Sequence, residues 1–326
     1  MLISFALLIA GLVFLVLAGD YLVRGTVAAS LKLGVSQILA SVLIVGFGTS
    51  APEMLVALEA TMAGTPGLAM GNIVGSNIAN VLLVVGAPAL MMSLKTTGAG
   101  LLRSTLFTIV ATIVWLVVTP VYGLTPFIGV AFIFALILYI TGSLIRPPTD
   151  NLEDLISEEA KEPPPGWVLT AFFILLGVIG LPLGSHLAIR GATGIASEVA
   201  WLNDELVGLT LLAIGTSMPE FAAAMAAARR KETDVVFGNV VGSNMFNILG
   251  AGGIIAMFGP LDLPGIFVQF DYWFMGGAFA LVSLYVLFRR PIGWFLGILL
   301  LAAYGVYLYG LHHFYVLGLN WSALWS

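Results

Sequence analysis

GTSAPEMLVALEA at residues 48–60 and GNIVGSNIANVLLVVG at residues 71–86 belong to a segment that occurs twice in this chain. The second copy reads GTSMPEFAAAMAA at residues 215–227 and GNVVGSNMFNILGAGG at residues 238–253, and a single constant offset relates the two copies throughout. In each copy, helix breakers, polar side chains and one recurring carboxylate are set in apolar sequence. An internal repeat whose hydrophobic segments are interrupted at matching positions is typical of a transporter that binds its substrate near the middle of the membrane.

The composition is that of a polytopic membrane protein. Of the 326 residues, 60% are hydrophobic and 9% are charged, and the mean hydropathy is +1.08, whereas a soluble domain carries roughly 25% charged residues. A net charge of −5 gives no basic footprint for nucleic acid, and the absence of cysteine excludes disulfides and thiolate metal sites. The apolar start of the chain lacks a basic n-region and is long for a cleaved signal peptide, so we expect it to form the first transmembrane helix.

Ten apolar runs are long enough to cross the bilayer as helices, which takes about 20 residues each. We place the spans near residues 2–23, 36–61, 68–92, 101–121, 125–145, 167–190, 204–228, 235–259, 268–288 and 291–312. The expected fold is an all-α polytopic membrane protein with ten transmembrane helices in two inverted five-helix repeats.

One long polar connection divides the chain. Residues 146–166 hold five prolines and six acidic residues and read as an exposed linker. The expected organisation is a first five-helix repeat at 1–145 with its repeated segment at about 46–86, the linker at 146–166, a second repeat at 167–314 with its repeated segment at about 213–253, and a short external tail at 315–326.

The basic residues predict how the spans are oriented. With ten spans, 11 of the 12 Lys and Arg residues fall on one side and only Arg190 falls on the other. Because basic loops stay in the cytoplasm, we expect a cytoplasmic linker, both termini outside, and a multi-pass protein of the plasma (cell inner) membrane. The connection inside the first repeated segment is uncharged, whereas that inside the second reads ARRKETD, so the two copies are expected to be inverted relative to each other.

The GTSAPE motif offers oxygen ligands beside a helix break. Pro52 has no N–H and its ring clashes with the carbonyl of residue 48, so we do not expect the helix to run straight through. Carbonyls freed in this way need protein, water or an ion as a partner inside a membrane. Together with the hydroxyls of Thr49 and Ser50 and the carboxylate of Glu53, they form a set of hard ligands suited to Ca²⁺ and Na⁺.

The GNIVGSN motif places polar side chains on one helix face. Ser76 and Asn80 are four residues apart and therefore share a face, and they recur as Ser243 and Asn247. The glycines also fit a GxxxG helix-packing motif, but packing does not explain the asparagines that recur in both copies. We interpret the glycines as packing residues and the polar side chains as the lining of a site.

Glu53 and Glu220 are the central candidates. A charged residue at the centre of a membrane helix costs roughly 2.5–3.5 kcal/mol on insertion scales, and no Lys or Arg lies in the central turns of any predicted span. A bound cation is the expected partner, and one Ca²⁺ would neutralise both carboxylates. The alternative is a protonated pair with a structural role.

At these residues the chain resembles the sodium/calcium exchanger family, a branch of the cation/calcium antiporters with inverted repeats of the form GTSxPE and GNxxGSN and ten helices in its prokaryotic members. The resemblance implies exchange of three Na⁺ for one Ca²⁺ by alternating access, with the first and sixth helices sliding over the core. It implies a central Ca²⁺ site made by Glu53, Glu220 and the carbonyls of Thr49 and Thr216. It implies flanking Na⁺ sites, one from Gly46, Thr49, Ser50, Glu53 and Ser76 and one from Ala213, Thr216, Ser217, Glu220 and Ser243, with Asn80 and Asn247 lining the middle.

The expected function is secondary active antiport of Na⁺ and Ca²⁺. We expect no enzymatic activity, no cofactor and no obligate protein partner, with the two ions as substrates and the lipid bilayer as surroundings. Some relatives, including the potassium-dependent branch, have Asp at the position of Asn247, so we expect transport here to be potassium-independent. The alternatives are H⁺/Ca²⁺ or other cation exchange through the same carboxylates, a passive channel, and an intramembrane hydrolase using a serine of GSN, which lacks a suitably placed base.

Overall fold

The computed structural model describes residues 2–64, 66–145, 165–196, 217–261 and 267–311. Within these ranges the regular structure is helical, apart from two isolated β-bridges. The helices are α1 (Leu2–Leu33), α2 (Gln37–Met62), α3 (Pro66–Met91), α4 (Leu101–Tyr122), α5 (Pro126–Ile145), α6 (Trp167–Ala196), α7 (Met218–Arg229), α8 (residues 233–256), α9 (residues 267–287) and α10 (Trp294–Leu311).

Eight of these helices are long and apolar enough to cross a membrane: α1 to α6, α9 and α10. The other two, α7 and α8, coincide with parts of the predicted seventh and eighth spans, and the first part of the seventh span lies outside the described residues. The chain is therefore an all-α polytopic membrane protein, as predicted. The expected tail and nearly all of the expected linker fall outside the described residues.

The first helix is longer than predicted. We expected a span near residues 2–23, but α1 continues to Leu33 and ends where Gly34 adopts a φ of +65°. The polar sequence after residue 23 ends the apolar run without ending the helix. Small residues such as Ala28, Ala29 and Ser30 are buried there, so packing keeps this part of the chain helical after its hydropathy has fallen.

The opening helices of the two halves, α1 and α6, pack along their length in antiparallel orientation. Gly11 lies against Ala188, whereas Gly177 lies against Leu22. The space beside each of these glycines is too small for a Cβ, so the backbones of α1 and α6 approach closely. Because α1 and α6 hold equivalent places in the repeat, their antiparallel packing is the relation that two inverted halves require.

The two β-bridges reveal the same symmetry. Leu94 pairs with Ile292, and Leu124 pairs with Leu261, each through reciprocal backbone hydrogen bonds of 2.9–3.0 Å. The repeat offset that relates Glu53 to Glu220 also relates Leu94 to Leu261, and Ile292 comes directly after the counterpart of Leu124. Each bridge therefore joins one half to the other, and exchanging the halves converts one bridge into its counterpart, as a two-fold axis does.

The repeated segments form the interior of the molecule. The most apolar stretch of α3 is 78% buried and that of α2 is 61% buried, compared with 22% for α1. Almost every described residue of α8 is also buried. Helices α2, α3, α7 and α8 thus meet at the centre, and α1 and α6 lie outside them.

Candidate functional site

The helix carrying the first GTSAPE motif does not break at its proline. Residues 47–62 are α-helical on both sides of Pro52, which contradicts the expected interruption. The irregularity lies one turn earlier, where Val42–Gly46 form a π-helical turn. Such wide turns occur often at functional sites. The irregular backbone therefore lies just before the motif and not at Pro52.

The second copy of the motif behaves differently. Its helix, α7, begins at Met218, and Pro219 sits in the first turn, where a missing N–H costs nothing. Ser217 precedes the helix with φ −92° and ψ 8°, outside helical values. Ala213 and Thr216, which the resemblance places in the site, lie outside the described residues.

The two acidic residues are fully enclosed and carry oxygens that lack a protein partner. Glu53 is 1% exposed and Glu220 is 0% exposed. Both carboxylate oxygens of Glu53 and Oε2 of Glu220 have no hydrogen-bond partner among the described residues. Buried polar atoms normally have a hydrogen-bond partner. These carboxylate oxygens have none within the described ranges, so they form a site suited to a positively charged ligand.

A contact between the halves joins the two GTSxPE motifs. Ser50 Oγ of the first copy donates to Glu220 Oε1 of the second copy at 3.3 Å. Helices α2 and α7 therefore meet at this point, as facing inverted repeats require. The predicted convergence of the two motifs is present in the structure.

Two asparagines hold the backbone at the acidic residues. Asn72 Nδ2 donates to the backbone carbonyl of Glu53 at 3.0 Å, and Asn239 Nδ2 donates to that of Glu220 at 2.9 Å. Each bond links the GNxxGSN helix to the GTSxPE helix of the same half. The sequence shows that these asparagines recur, but it does not predict this role. The signal was present, since each asparagine stands at the same distance along the chain from the glutamate that it holds.

A polar cluster beside the carboxylates draws on both copies. Thr49 Oγ1 lies 3.3 Å from Ser243 Oγ and 3.4 Å from Asn239 Oδ1. Ser243 Oγ also donates to the carbonyl of Gly46 at 3.5 Å. The resemblance put Ser243 in one flanking group and Gly46 and Thr49 in the other, whereas the structure brings them together. In this cluster, polar groups of the two halves therefore lie side by side.

Gly46 and Gly242 permit this approach of α2 to α8. A Cβ on Gly46 would lie 2.8 Å from the Cα of Gly242, and one on Gly242 would lie 2.8 Å from the Cα of Val42. The predicted packing role of the glycines therefore holds in the second copy. The positions that would face Gly71 and Gly75 by the same symmetry, near residues 205–213, are outside the described residues.

The remaining predicted site residues are also buried. Ser76 is 2% exposed, Ser217 is 1% exposed, and Asn80 and Asn247 are 0% exposed. The hydroxyl of Ser217 and both amide atoms of each of these two asparagines lack a hydrogen-bond partner. Asn80 precedes a turn at residues 83–85, and Asn247 lies in the π-helical turn Phe246–Ala251, so both flank irregular backbone.

The donor set fits a hard cation. Carboxylate, hydroxyl, amide and carbonyl oxygens are the ligands that Ca²⁺ and Na⁺ take in proteins. In the described part of the chain, no group of three or more His, Cys, Asp or Glu residues is placed to hold a metal. Among the described residues, Glu53 and Glu220 are the two carboxylates at this centre.

The fold and this centre together define a class: a polytopic membrane transport protein whose two repeated halves enclose a polar centre. The model of the sodium/calcium exchanger protein family matches residues 3–145 and 169–312. The chain belongs to the sodium/calcium exchanger family.

Individual relatives agree with this assignment. CaxA of Alkalimonas amylolytica is 35% identical over 271 residues, covering 82% of this chain and 83% of that protein. The sodium/calcium exchanger MaX1 of Methanosarcina acetivorans is 27% identical over 328 aligned positions, covering 90% of this chain and 92% of that protein. A structure of the sodium–calcium exchanger NCX_Mj, soaked with Na⁺ and Sr²⁺, superimposes with a TM-score of 0.81 at 28% identity, covering 94% of this chain and 97% of that one.

Membership in this family settles the broad class of function. The protein is an integral, multi-pass membrane exchanger of cations and not an enzyme. The intramembrane hydrolase considered from the GSN serines is therefore excluded. The predicted family, the all-α membrane fold and the transporter class are confirmed.

Proposed function

We propose that this chain exchanges Na⁺ for Ca²⁺ and that the ions bind at the centre of the membrane between Glu53 and Glu220. The observation that carries this proposal is the hydrogen bond from Ser50 to Glu220, which brings the two repeated motifs to one buried site. The unpaired oxygens of Glu53 and Glu220 then face a region that a cation would neutralise.

Ca²⁺ fits the centre of this arrangement. Two carboxylates balance one divalent ion, and Ca²⁺ takes six to eight oxygens. Carbonyls near Thr49 and Thr216 would complete the coordination, as the family resemblance implies. In this proposal Ca²⁺ and Na⁺ are cargo, and the protein has no resident cofactor and no obligate protein partner.

Na⁺ would occupy positions that flank the Ca²⁺ position. Thr49, Ser243 and the carbonyl of Gly46 supply one group of neutral oxygens, and Ser76 with Ala213 and Thr216 is its symmetry counterpart. Competition for the shared carboxylates couples the ions, since Na⁺ and Ca²⁺ neutralise the same charge. With three Na⁺ for one Ca²⁺, each cycle moves one net charge, worth about 2.3 kcal/mol per 100 mV.

The proposed placement in the cell follows from the charge asymmetry. We place the protein in the plasma (cell inner) membrane with its basic loops and the linker at 146–166 in the cytoplasm and both termini outside. The domains are the two five-helix repeats, at residues 1–145 and 167–314. Alternating access would open the central site to each side in turn, and α1 and α6, which pack closely on each other, would move together.

The test is Ca²⁺ flux in proteoliposomes. Vesicles loaded with Na⁺ should take up ⁴⁵Ca²⁺ when the Na⁺ gradient is outward, and uptake should stop when the gradient is abolished. Glu53→Gln and Glu220→Gln should each abolish exchange, whereas Glu59→Gln, an exposed acid on the same helix, should retain it. Uptake driven by a pH gradient and indifferent to Na⁺ would replace this proposal with H⁺/Ca²⁺ exchange. Uptake without any counter-ion would indicate a passive channel.

A further inference from the structure

A groove of about 1090 Å³ lies away from the central site, between α4, α5 and the end of α9. Its lining has a positively charged part and an apolar part. Arg103 and Arg289 line it together with the segment before α4, and aliphatic side chains with Phe107 and Tyr139 form the rest of the wall. These aliphatic residues are Leu102, Leu106, Val110 and Leu138.

The apolar wall is accessible to lipid. Leu106 is 46% exposed, Val110 is 58% exposed and Leu138 is 54% exposed. Leu102, Leu106 and Val110 are spaced by four residues on one face of α4, so the stripe extends about 12 Å from the helix end towards the membrane centre. A hydrocarbon chain lying in this groove would contact the stripe along its length.

The charged end lies at the membrane boundary. Arg103 is the third residue of α4, and Arg289 follows the end of α9 by two residues. Both belong to the basic side of the predicted topology. Since Arg103 sits in the first turn of α4, its charge is opposed by the helix dipole, and an anion bound there would be favoured by both the guanidinium and the helix end.

The second half of the molecule provides an internal comparison. Ser104 Oγ lies 2.6 Å from Tyr139 Oη, and at the corresponding place Tyr307 Oη donates to Asp271 Oδ1 at 2.8 Å. Ser104 and Asp271 therefore occupy equivalent positions in the two halves. Since Arg103 precedes Ser104 and Phe270 precedes Asp271, Phe270 is the counterpart of Arg103.

The counterpart position is sealed by aromatic packing. Phe270 is 2% exposed, stacks on Tyr307 with ring centroids 5.8 Å apart, and lies against Gly310. In the first half, the guanidinium of Arg103 lies near Gly142, the counterpart of Gly310. In the second half this position is thus occupied by a buried aromatic ring. In the first half the same position is occupied by an exposed arginine beside the groove.

We propose that this groove binds an acidic phospholipid of the cytoplasmic leaflet. The phosphate would lie between Arg103 and Arg289, and one acyl chain would follow Leu102, Leu106 and Val110. Arginine suits phosphate because its planar guanidinium donates two parallel hydrogen bonds. Because Arg289 comes from the second half and Arg103 from the first, the bound lipid would link the two halves at their cytoplasmic side.

The experiment uses the full chain purified with phosphatidylglycerol and phosphatidylcholine in equal amounts. Native mass spectrometry should show one preferentially retained phosphatidylglycerol. Arg103→Gln and Arg289→Gln should each lower the retained ratio of acidic to zwitterionic lipid by about fivefold, the effect of one basic residue near an anionic headgroup. Arg103→Phe, which installs the residue of the second half, should abolish the preference. Arg229→Gln removes an exposed charge elsewhere on the same side and should leave the ratio unchanged.

A photoreactive group on the acyl chain of phosphatidylglycerol locates the lipid independently. Its crosslinks should map to residues 102–110 in the unaltered chain and should be lost in Arg103→Phe. Crosslinks elsewhere, or equal retention of both lipids by all variants, would overturn the proposal. Chemical modification of the arginines separates a lipid site from a simple anion site. If inorganic phosphate protects the arginines as well as phosphatidylglycerol does, the groove is an anion site and the lipid assignment is overturned. None of these measurements depends on ion transport.

Discussion

Ser50 Oγ donates a hydrogen bond to Glu220 Oε1 at 3.3 Å, and these two residues come from opposite halves of the molecule. The bond ties the position of one buried carboxylate to the other repeat. Any movement that separates the halves at this point must break it. The two repeated motifs consequently act as one site.

Removing this hydroxyl should weaken Ca²⁺ exchange without abolishing it. A hydrogen bond to a charged group contributes about 1.5–3 kcal/mol, and the length of this one favours the lower end, so we expect Ser50→Ala to raise the KM for Ca²⁺ by about tenfold. Initial rates of ⁴⁵Ca²⁺ uptake over a range of Ca²⁺ concentrations measure this. Ser30→Ala, at a buried serine of α1 remote from both motifs, is the matched control. An unchanged KM in Ser50→Ala would show that the bond does not position Glu220 for binding.

The two asparagine bonds should contribute equally to stability. Asn72→Ala and Asn239→Ala each leave the buried carbonyl of a site glutamate without its donor, which costs about 1–3 kcal/mol. We expect both variants to lower the unfolding temperature in detergent by similar amounts. Thermal unfolding followed by size-exclusion chromatography measures this. A large loss in one variant and none in the other would contradict the symmetry of the two halves at this position.

A salt bridge holds α1 to the end of α7. Arg230 Nε lies 2.6 Å from Asp20 Oδ1, in addition to the local bond from Arg24 to Asp20 Oδ2 at 3.1 Å. Asp20 therefore has one partner on its own helix and one on the other half of the molecule. Nearby, Gly19 of α1 covers Ala226 of α7, which is 1% exposed.

Breaking this salt bridge should uncover α7. The chain has no cysteine, so Ala226→Cys gives one reporter thiol beneath α1. Partly exposed ion pairs contribute about 0.2–1 kcal/mol, so we expect Arg230→Gln to raise the labelling rate of this thiol by about two- to fivefold. Arg229→Gln, which removes the neighbouring exposed charge, should have no effect. Equal rates in all three proteins would mean that the bridge does not restrain α1.

Exchange should not need K⁺. Asn247 is buried and supplies an amide where the potassium-dependent branch has a carboxylate, so the centre has two acids among its described residues. Uptake of ⁴⁵Ca²⁺ driven by a Na⁺ gradient should be the same in K⁺ and in choline. A requirement for K⁺, together with accumulation of ⁸⁶Rb⁺ in step with Ca²⁺, would contradict this prediction.

The sequence was most informative about which positions are equivalent in the two halves of the chain. The constant offset between Glu53 and Glu220 identifies equivalent positions, and alternating loop charge predicts inverted halves, with which the antiparallel packing of α1 on α6 agrees. Hydropathy located the spans because the bilayer requires long apolar helices. It misplaced the end of α1 because small residues are buried there by packing, with the hydroxyl of Ser30 donating to the carbonyl of Val27.

The sequence could not predict which half supplies each neighbour in the site. A repeat offset relates Ser243 to Ser76, but it does not reveal that Ser243 faces Thr49 of the other half. That contact depends on how α2 crosses α8, which the close approach of Gly46 and Gly242 sets in three dimensions. The sequence also did not predict the continuous helix through Pro52, because a proline in a helix interior normally kinks or breaks the helix.

The most direct test of the central claim is the position of bound Ca²⁺. Crystals of the protein grown with Ca²⁺ and measured at a long X-ray wavelength should show one strong anomalous peak between Glu53 and Glu220, about 2.3–2.6 Å from oxygens of both carboxylates. The peak should fade as Na⁺ is added. A peak at some other place, or none between these carboxylates at Ca²⁺ concentrations that saturate transport, would contradict the account.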